Sequence, residues 1–172
     1  MSDVAGIRQF GEGPLARAAA LVYTVLVVEL LLLLTTAPGL VVLVLLDHDA
    51  SNAPLAAVCA LPFGPALSAA LYALHRRRLD LADLKPAAAF WRGYKLNALG
   101  ALKVWVPLLA LLTVIAVNLS HRNAAGVPAW WSVLLVIVAV AVTLASANAL
   151  VITSLYVFRA GDTARLSAYF LV

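Results

Sequence analysis

Apolar residues fall into four long blocks, each closed by a short polar or proline-glycine break. The first block begins after Arg17, and Pro38-Gly39 closes it. A run of about 20 apolar residues at ~1.5 Å per residue crosses a hydrocarbon core of ~30 Å. The pattern therefore predicts spans at residues 17–37, 54–75, 98–120 and 130–158. Residues 40–46 form an apolar tail after the first break, either prolonging that span obliquely or lying in the interface. The core of this first block is too long for the apolar region of a cleaved signal peptide, and further spans follow it.

The second block carries Pro62, Gly64 and Pro65. Each proline lacks a backbone donor, so this helix is expected to kink or break. Arg76-Arg77-Arg78 ends the block, and the connection 76–97 is the one extended polar stretch. Within it Phe90, Trp91, Tyr94 and Asn97 recur at helical spacing, with Arg92 and Lys95 on the other side. That arrangement predicts a short amphipathic helix at the headgroup level. Lys103 lies near the start of the third block, where its stem can reach the interface. Trp130-Trp131 and Tyr156 with Phe158 supply aromatic belts at the two ends of the fourth. The chain turns apolar again at Leu166, like the start of a fifth span cut short at the C-terminus. The expected architecture is one all-α transmembrane domain over 1–172: a polytopic helix bundle of about four spans plus the interfacial helix.

Composition agrees. Of 172 residues 65% are hydrophobic and 12% charged, with a mean hydropathy of +1.01. Soluble domains run near one quarter charged, so the surplus apolar surface must face lipid. Cys59 is the only cysteine, which rules out an internal disulfide. The pI of 9.6 does not point to nucleic acid, because the cations flank apolar blocks. With four spans, Arg8, Arg17, Arg76, Arg77, Arg78, Lys85, Arg92, Lys95, Lys103, Arg159 and Arg165 share one side, and only Arg122 faces the other. Lysine and arginine accumulate in cytoplasmic loops, so both termini and the 76–97 connection are expected in the cytoplasm.

Candidate chemistry is sparse. Glu29 is the one acid deep in a span, at a place where a charge costs ~2.5–3.5 kcal/mol on insertion scales. Counted by helical rise it lies about 18 Å from the cytoplasmic end, at the depth of Gly64, Pro65, Thr113 and Ser146. A protonated Glu29 could donate to the Leu61 carbonyl that Pro65 frees. Glu29, Gly64, Pro65 and Asn148 thus make a candidate intramembrane polar site for a proton or substrate; a plain hydrogen bond between helices is the alternative. The small residues around Gly64 fit close helix packing as well as a hinge. Asn97, Asn118 and Asn148 are candidate interhelical donors. Arg76, Arg77, Arg78, Phe90, Trp91, Gly93, Tyr94 and Asn97 form a candidate cytoplasmic face for a partner or lipid headgroups, although topology control alone accounts for the arginines. His75 lies opposite His48 and His121, and Asp47-His48-Asp49 reads as a solvated turn, so no metal and no cofactor are expected. No phosphate loop, nucleophile elbow, zinc helix or dinucleotide fingerprint occurs. The expectation is not an enzyme.

One resemblance adds to this. Gly64-Pro65-Ala66-Leu67-Ser68-Ala69-Ala70-Leu71-Tyr72, then a basic cluster, then Phe90-Trp91-Arg92-Gly93-Tyr94-Lys95-Leu96-Asn97, resembles the YesL-like family of bacterial integral membrane proteins. The Leu-rich first block ending in Ala37-Pro38-Gly39 is similar too, so the resemblance covers roughly 11–120. It implies a plasma (inner) membrane protein of bacteria associated with carbohydrate (oligosaccharide) uptake, with membrane subunits of a sugar ABC transporter as partners besides the lipid bilayer. Further copies of the chain are also open as partners. Such proteins continue for one more helix, and their motifs include nothing at Glu29. Three functions follow as expectations: an accessory or regulatory component of carbohydrate uptake, a small transporter or channel-like protein built around Glu29, or a structural assembly protein with no ligand. Ala88-Ala89-x-x-x-Gly93 resembles the coupling loop of importer permeases only faintly, since Ala87 stands where that loop has Glu.

Overall fold

A computed structural model describes residues 14–47, 49–75, 85–122, 126 and 128–155. Five α-helices follow in order: α1 (Pro14–Leu45), α2 (Ala53–Cys59), α3 (Phe63–His75), α4 (Pro86–Ser120) and α5 (Ala129–Leu155), with a single 3-10 turn at Ala50–Asn52 before α2. There is no strand among the described residues. The stretches Pro14–Leu45, Ala50–His75, Pro86–Ser120 and Ala129–Leu155 are each long and apolar enough to cross a membrane. The chain is an all-α bundle of about four spans.

Two boundaries differ from those expected. The first helix does not stop at Pro38-Gly39; it runs through both to Leu45, so the apolar tail prolongs the span, the first of its two expected alternatives. A break there would strand carbonyls and amides in lipid, whereas one proline costs a single backbone bond. Just before Pro38, the hydroxyls of Thr35 and Thr36 donate to the Leu31 and Leu32 carbonyls, each at 2.8 Å. Second, the interfacial helix is not a separate element. Pro86 starts a helix of 35 residues that passes straight through Asn97 into the third span. Proline suits a first helical position, where its missing N–H loses nothing. The described part of the fourth span is Ala129–Leu155; its expected end at 158 and the incipient fifth helix lie outside the described residues.

The second span breaks, as its prolines require. α2 ends at Cys59, and α3 begins at Phe63 after a turn in which the Leu61 amide donates to Val58 and the Phe63 amide to Ala60. Pro65 falls in the first turn of α3, so the donor it lacks was not needed.

Packing directions are fixed by paired contacts. α1 opposes the α2–α3 span: Gly39 meets the backbone of Cys59, while Val28 joins a cluster with Ala69, Ala70, Ala73 and Phe90. α4 runs antiparallel to α3, Trp105 lying on Gly64 and Gly93 on Tyr72. α5 runs antiparallel to α4, since Asn97 bonds to Ser154 while Ser132 and Ile137 share a cavity with Leu119. One end of the bundle thus gathers the start of α1, the end of α3, the start of α4 and the end of α5. Of the described lysines and arginines, Arg17, Lys85, Arg92 and Lys95 belong to that end and Arg122 to the other, while Lys103, expected near the interface, stands exposed midway along α4 because that helix begins at Pro86.

α3 is the centre. Eight of its 13 residues are buried, against five of 32 in α1 and four of 27 in α5. Its Ala, Ser and Gly residues let three helices approach it closely, the usual basis of packing where no water drives association.

Candidate functional site

Among the described residues, side-chain hydrogen bonds join the helices at two levels. Ser68 on α3 and Ser154 on α5 are both buried, and the Ser154 hydroxyl donates to the Ser68 oxygen at 2.7 Å. Asn97 on α4 donates through Nδ2 to the Ser154 carbonyl at 3.1 Å. One clamp therefore ties α3, α4 and α5 at the cation-rich end. At the α2–α3 break, the Trp105 indole donates to the Ala60 carbonyl at 2.9 Å. Irregular backbone at membrane depth is tolerated where protein groups satisfy it, and Trp105 does so here.

Aromatics fill the space beside the clamp. Phe90 is fully buried, the largest such side chain, and stacks on Tyr94 at 6.4 Å with Trp91 edge-on at 5.9 Å. Gly93 is needed for close approach: a Cβ there would come within 2.7 Å of the Tyr72 ring. Gly64 is comparable, with a Cβ meeting Trp105 Cγ at 2.5 Å.

The expected intramembrane polar site does not assemble. Gly64 and Pro65 are buried in α3. Glu29 instead lies on the exposed side of α1, and no hydrogen bond or ion pair engages it among the described residues. Its neighbour Val28 packs with Ala69, Ala73 and Phe90, which places Glu29 roughly 8–13 Å along α3 from Gly64. The depth count failed because α1 has 32 residues, about 48 Å, and overshoots a ~30 Å core. Its first turn is therefore no guide to the membrane face. Glu29 does not bond to the Leu61 carbonyl; the side chain that reaches the break is Trp105, on the Ala60 carbonyl that also accepts from the Phe63 amide. Asn148 is exposed on α5, Asn118 bonds to Val114 of its own helix, and only Asn97 reaches across. Thr113 likewise bonds within α4, to Leu109.

The face expected to meet a partner divides in two. Phe90 and Gly93 are buried, Tyr94 packs against the core and Asn97 bonds to α5, so these four hold the bundle together. Trp91, 44% exposed, remains on the surface with Arg92 and Lys95. A helix rigidly continuous with the third span turns its aromatic side toward α3, whereas a free interfacial helix would turn it toward lipid. Arg76, Arg77 and Arg78 lie outside the described residues.

Sequence reasoning missed Ser68, Ser154 and the role of Trp105. The signal for the serines was weak: two hydroxyls among alanines and leucines, 86 positions apart. At the opposite end, the Asp47–Asn52 turn is closed by Asn52 donating to the Asp47 carbonyl and Ser51 to the Asp49 carboxylate. No group of three or more His, Cys, Asp or Glu side chains that could hold a metal occurs among the described residues. Compared with known proteins, the chain matches no family model, no curated protein and no solved structure.

Proposed function

We propose that this protein is a non-catalytic helical subunit of the bacterial inner membrane, with both termini cytoplasmic. It docks beside a transporter as an accessory or regulatory component of carbohydrate uptake. Glu29 carries this reading. It sits among Val22, Leu26, Leu30 and Leu33, all more than half exposed, on a face of α1 that nothing in the described chain covers. A carboxyl group in that setting favours a donor or cation on a neighbouring helix, because lipid tails offer neither. The outward position favours docking over transport through the bundle centre.

The orientation rests on charge. Arg17, Lys85, Arg92 and Lys95 mark one end and Arg122 the other, the asymmetry that cytoplasmic retention of cations produces. The link to sugar uptake rests on the resemblance to YesL-like proteins. The residues that carry it have coherent structural tasks here: Gly64 seats Trp105, Gly93 seats Tyr72, Phe90 fills the core and Asn97 bonds α5.

A photo-crosslinking residue at Leu33, in cells at native expression, tests the proposal. The expected adduct is a membrane subunit of a sugar importer, diminished by Glu29→Leu and absent when the crosslinker stands at Val140 on α5. Adducts to lipid alone from Leu33 would overturn it.

A further inference from the structure

At the end opposite the cation-rich one, α4 and α5 diverge around an open cavity of about 640 Å³. Leu119, Val133, Val136 and Ile137 make its walls apolar, and Arg122 stands at its mouth. Among the described lysines and arginines Arg122 is alone at this end, and no carboxylate among the described residues pairs with it. Ala129, the first residue of α5, also lines the cavity. The amides of a helix N-terminus add positive potential, and α5 has no acidic residue in its first turn to offset it.

Ser132 supplies the independent observation. It lines the same cavity, is 7% exposed, and its hydroxyl has no hydrogen-bond partner. Every described threonine in the bundle bonds back to its own helix, as does Ser120. Ser132 does not. A buried hydroxyl without an acceptor is costly, which marks a place for one.

We infer that this cavity binds one anionic diacyl phospholipid from the leaflet at the Arg122 end. The headgroup phosphate sits between Arg122 and the start of α5, and an acyl chain follows Val133, Val136 and Ile137. From Ala129 to Ile137 the groove descends about 12 Å. Ser132, one turn below Ala129, lies in the layer where acyl ester carbonyls lie below the phosphate, and it donates to one of them. Trp130 and Trp131, exposed and edge-to-face at 5.6 Å, sit at the headgroup level beside it.

Native mass spectrometry of the full chain, given equal phosphatidylglycerol and phosphatidylethanolamine of identical acyl chains, tests this. Wild type should retain one phosphatidylglycerol in preference. Arg122→Gln should lower that preference roughly fivefold, the worth of one cation near a headgroup, and Arg122→Lys should keep most of it. Ser132→Ala should weaken both lipids alike, since ester carbonyls are common to them, and Val136→Trp should exclude both. Arg17→Gln, at the far end, should change nothing. Equal retention of the two lipids by wild type, an undiminished preference in Arg122→Gln, or displacement of the lipid by free glycerol phosphate would each overturn the inference.

Discussion

α3 and α5 invert what a soluble protein would show. The span that contains α3 is the least oily of the four, yet it is the most buried; α5 is the oiliest and leaves most of its surface bare. In water the greasier helix would take the centre. In a bilayer lipid tails solvate Val and Leu as well as a protein core does, so association rests on close packing and hydrogen bonds. α3 offers both, through Gly64, Ala66, Ala69, Ala70 and Ala73 for approach and Ser68 for bonding. α5 contributes Ser132, Ala149, Leu150 and Ser154 to the interior and gives the rest to the bilayer. Small residues, and not large apolar ones, identify the core.

That contrast is open to direct attack. Phe90→Ala should do the most damage, because Phe90 is the one large side chain fully enclosed among α1, α3 and α4. A loss of about 3 kcal/mol is expected, read as reduced thermal stability of the detergent-solubilised bundle. Gly93→Ala comes next, at about 1–3 kcal/mol, since its methyl group must displace the Tyr72 ring. Gly100→Ala supplies the matched control: nothing stands within 4 Å of its would-be Cβ, so better helix propensity should leave stability unchanged or slightly raised. If Gly93 and Gly100 respond alike, the helices do not pack as described.

Ser154→Ala should cost about 0.6 kcal/mol, the average for an interhelical hydrogen bond in a membrane. A double-mutant cycle with Ser68→Ala should show that the two losses share one interaction. On α5, Leu144→Ala faces lipid and should stay within about 0.5 kcal/mol of wild type in the same melting assay. A large loss at Leu144 would mean that another protein surface covers α5.

Much of the architecture was legible beforehand. Apolar blocks bounded by charges located four spans, and the prolines of the second predicted its break, which falls at Ala60–Pro62. The ends were harder to place. Nothing local distinguishes a proline that stops a helix from one, like Pro38, that a helix passes through; the cost of stranding backbone in lipid decides it. The candidate site was read less well. Asn97 was correctly taken as a bridge between helices, while Asn118 and Asn148, chemically identical, were not distinguishable from it. Glu29 was placed at the wrong depth because a rise per residue needs a known starting plane, and the first turn of an overlong helix does not supply one.

Hydropathy and charge alone determined that these helices suit a membrane and that about four segments are long enough to cross it, because solvation by lipid is a property of each segment taken separately. Which helix occupies the centre, which face of α1 carries Glu29 outward, and how serines 86 positions apart share one hydrogen bond were decided only in three dimensions. Close approach and hydrogen-bond direction depend on how helices rotate and slide against one another, and no segment encodes that by itself.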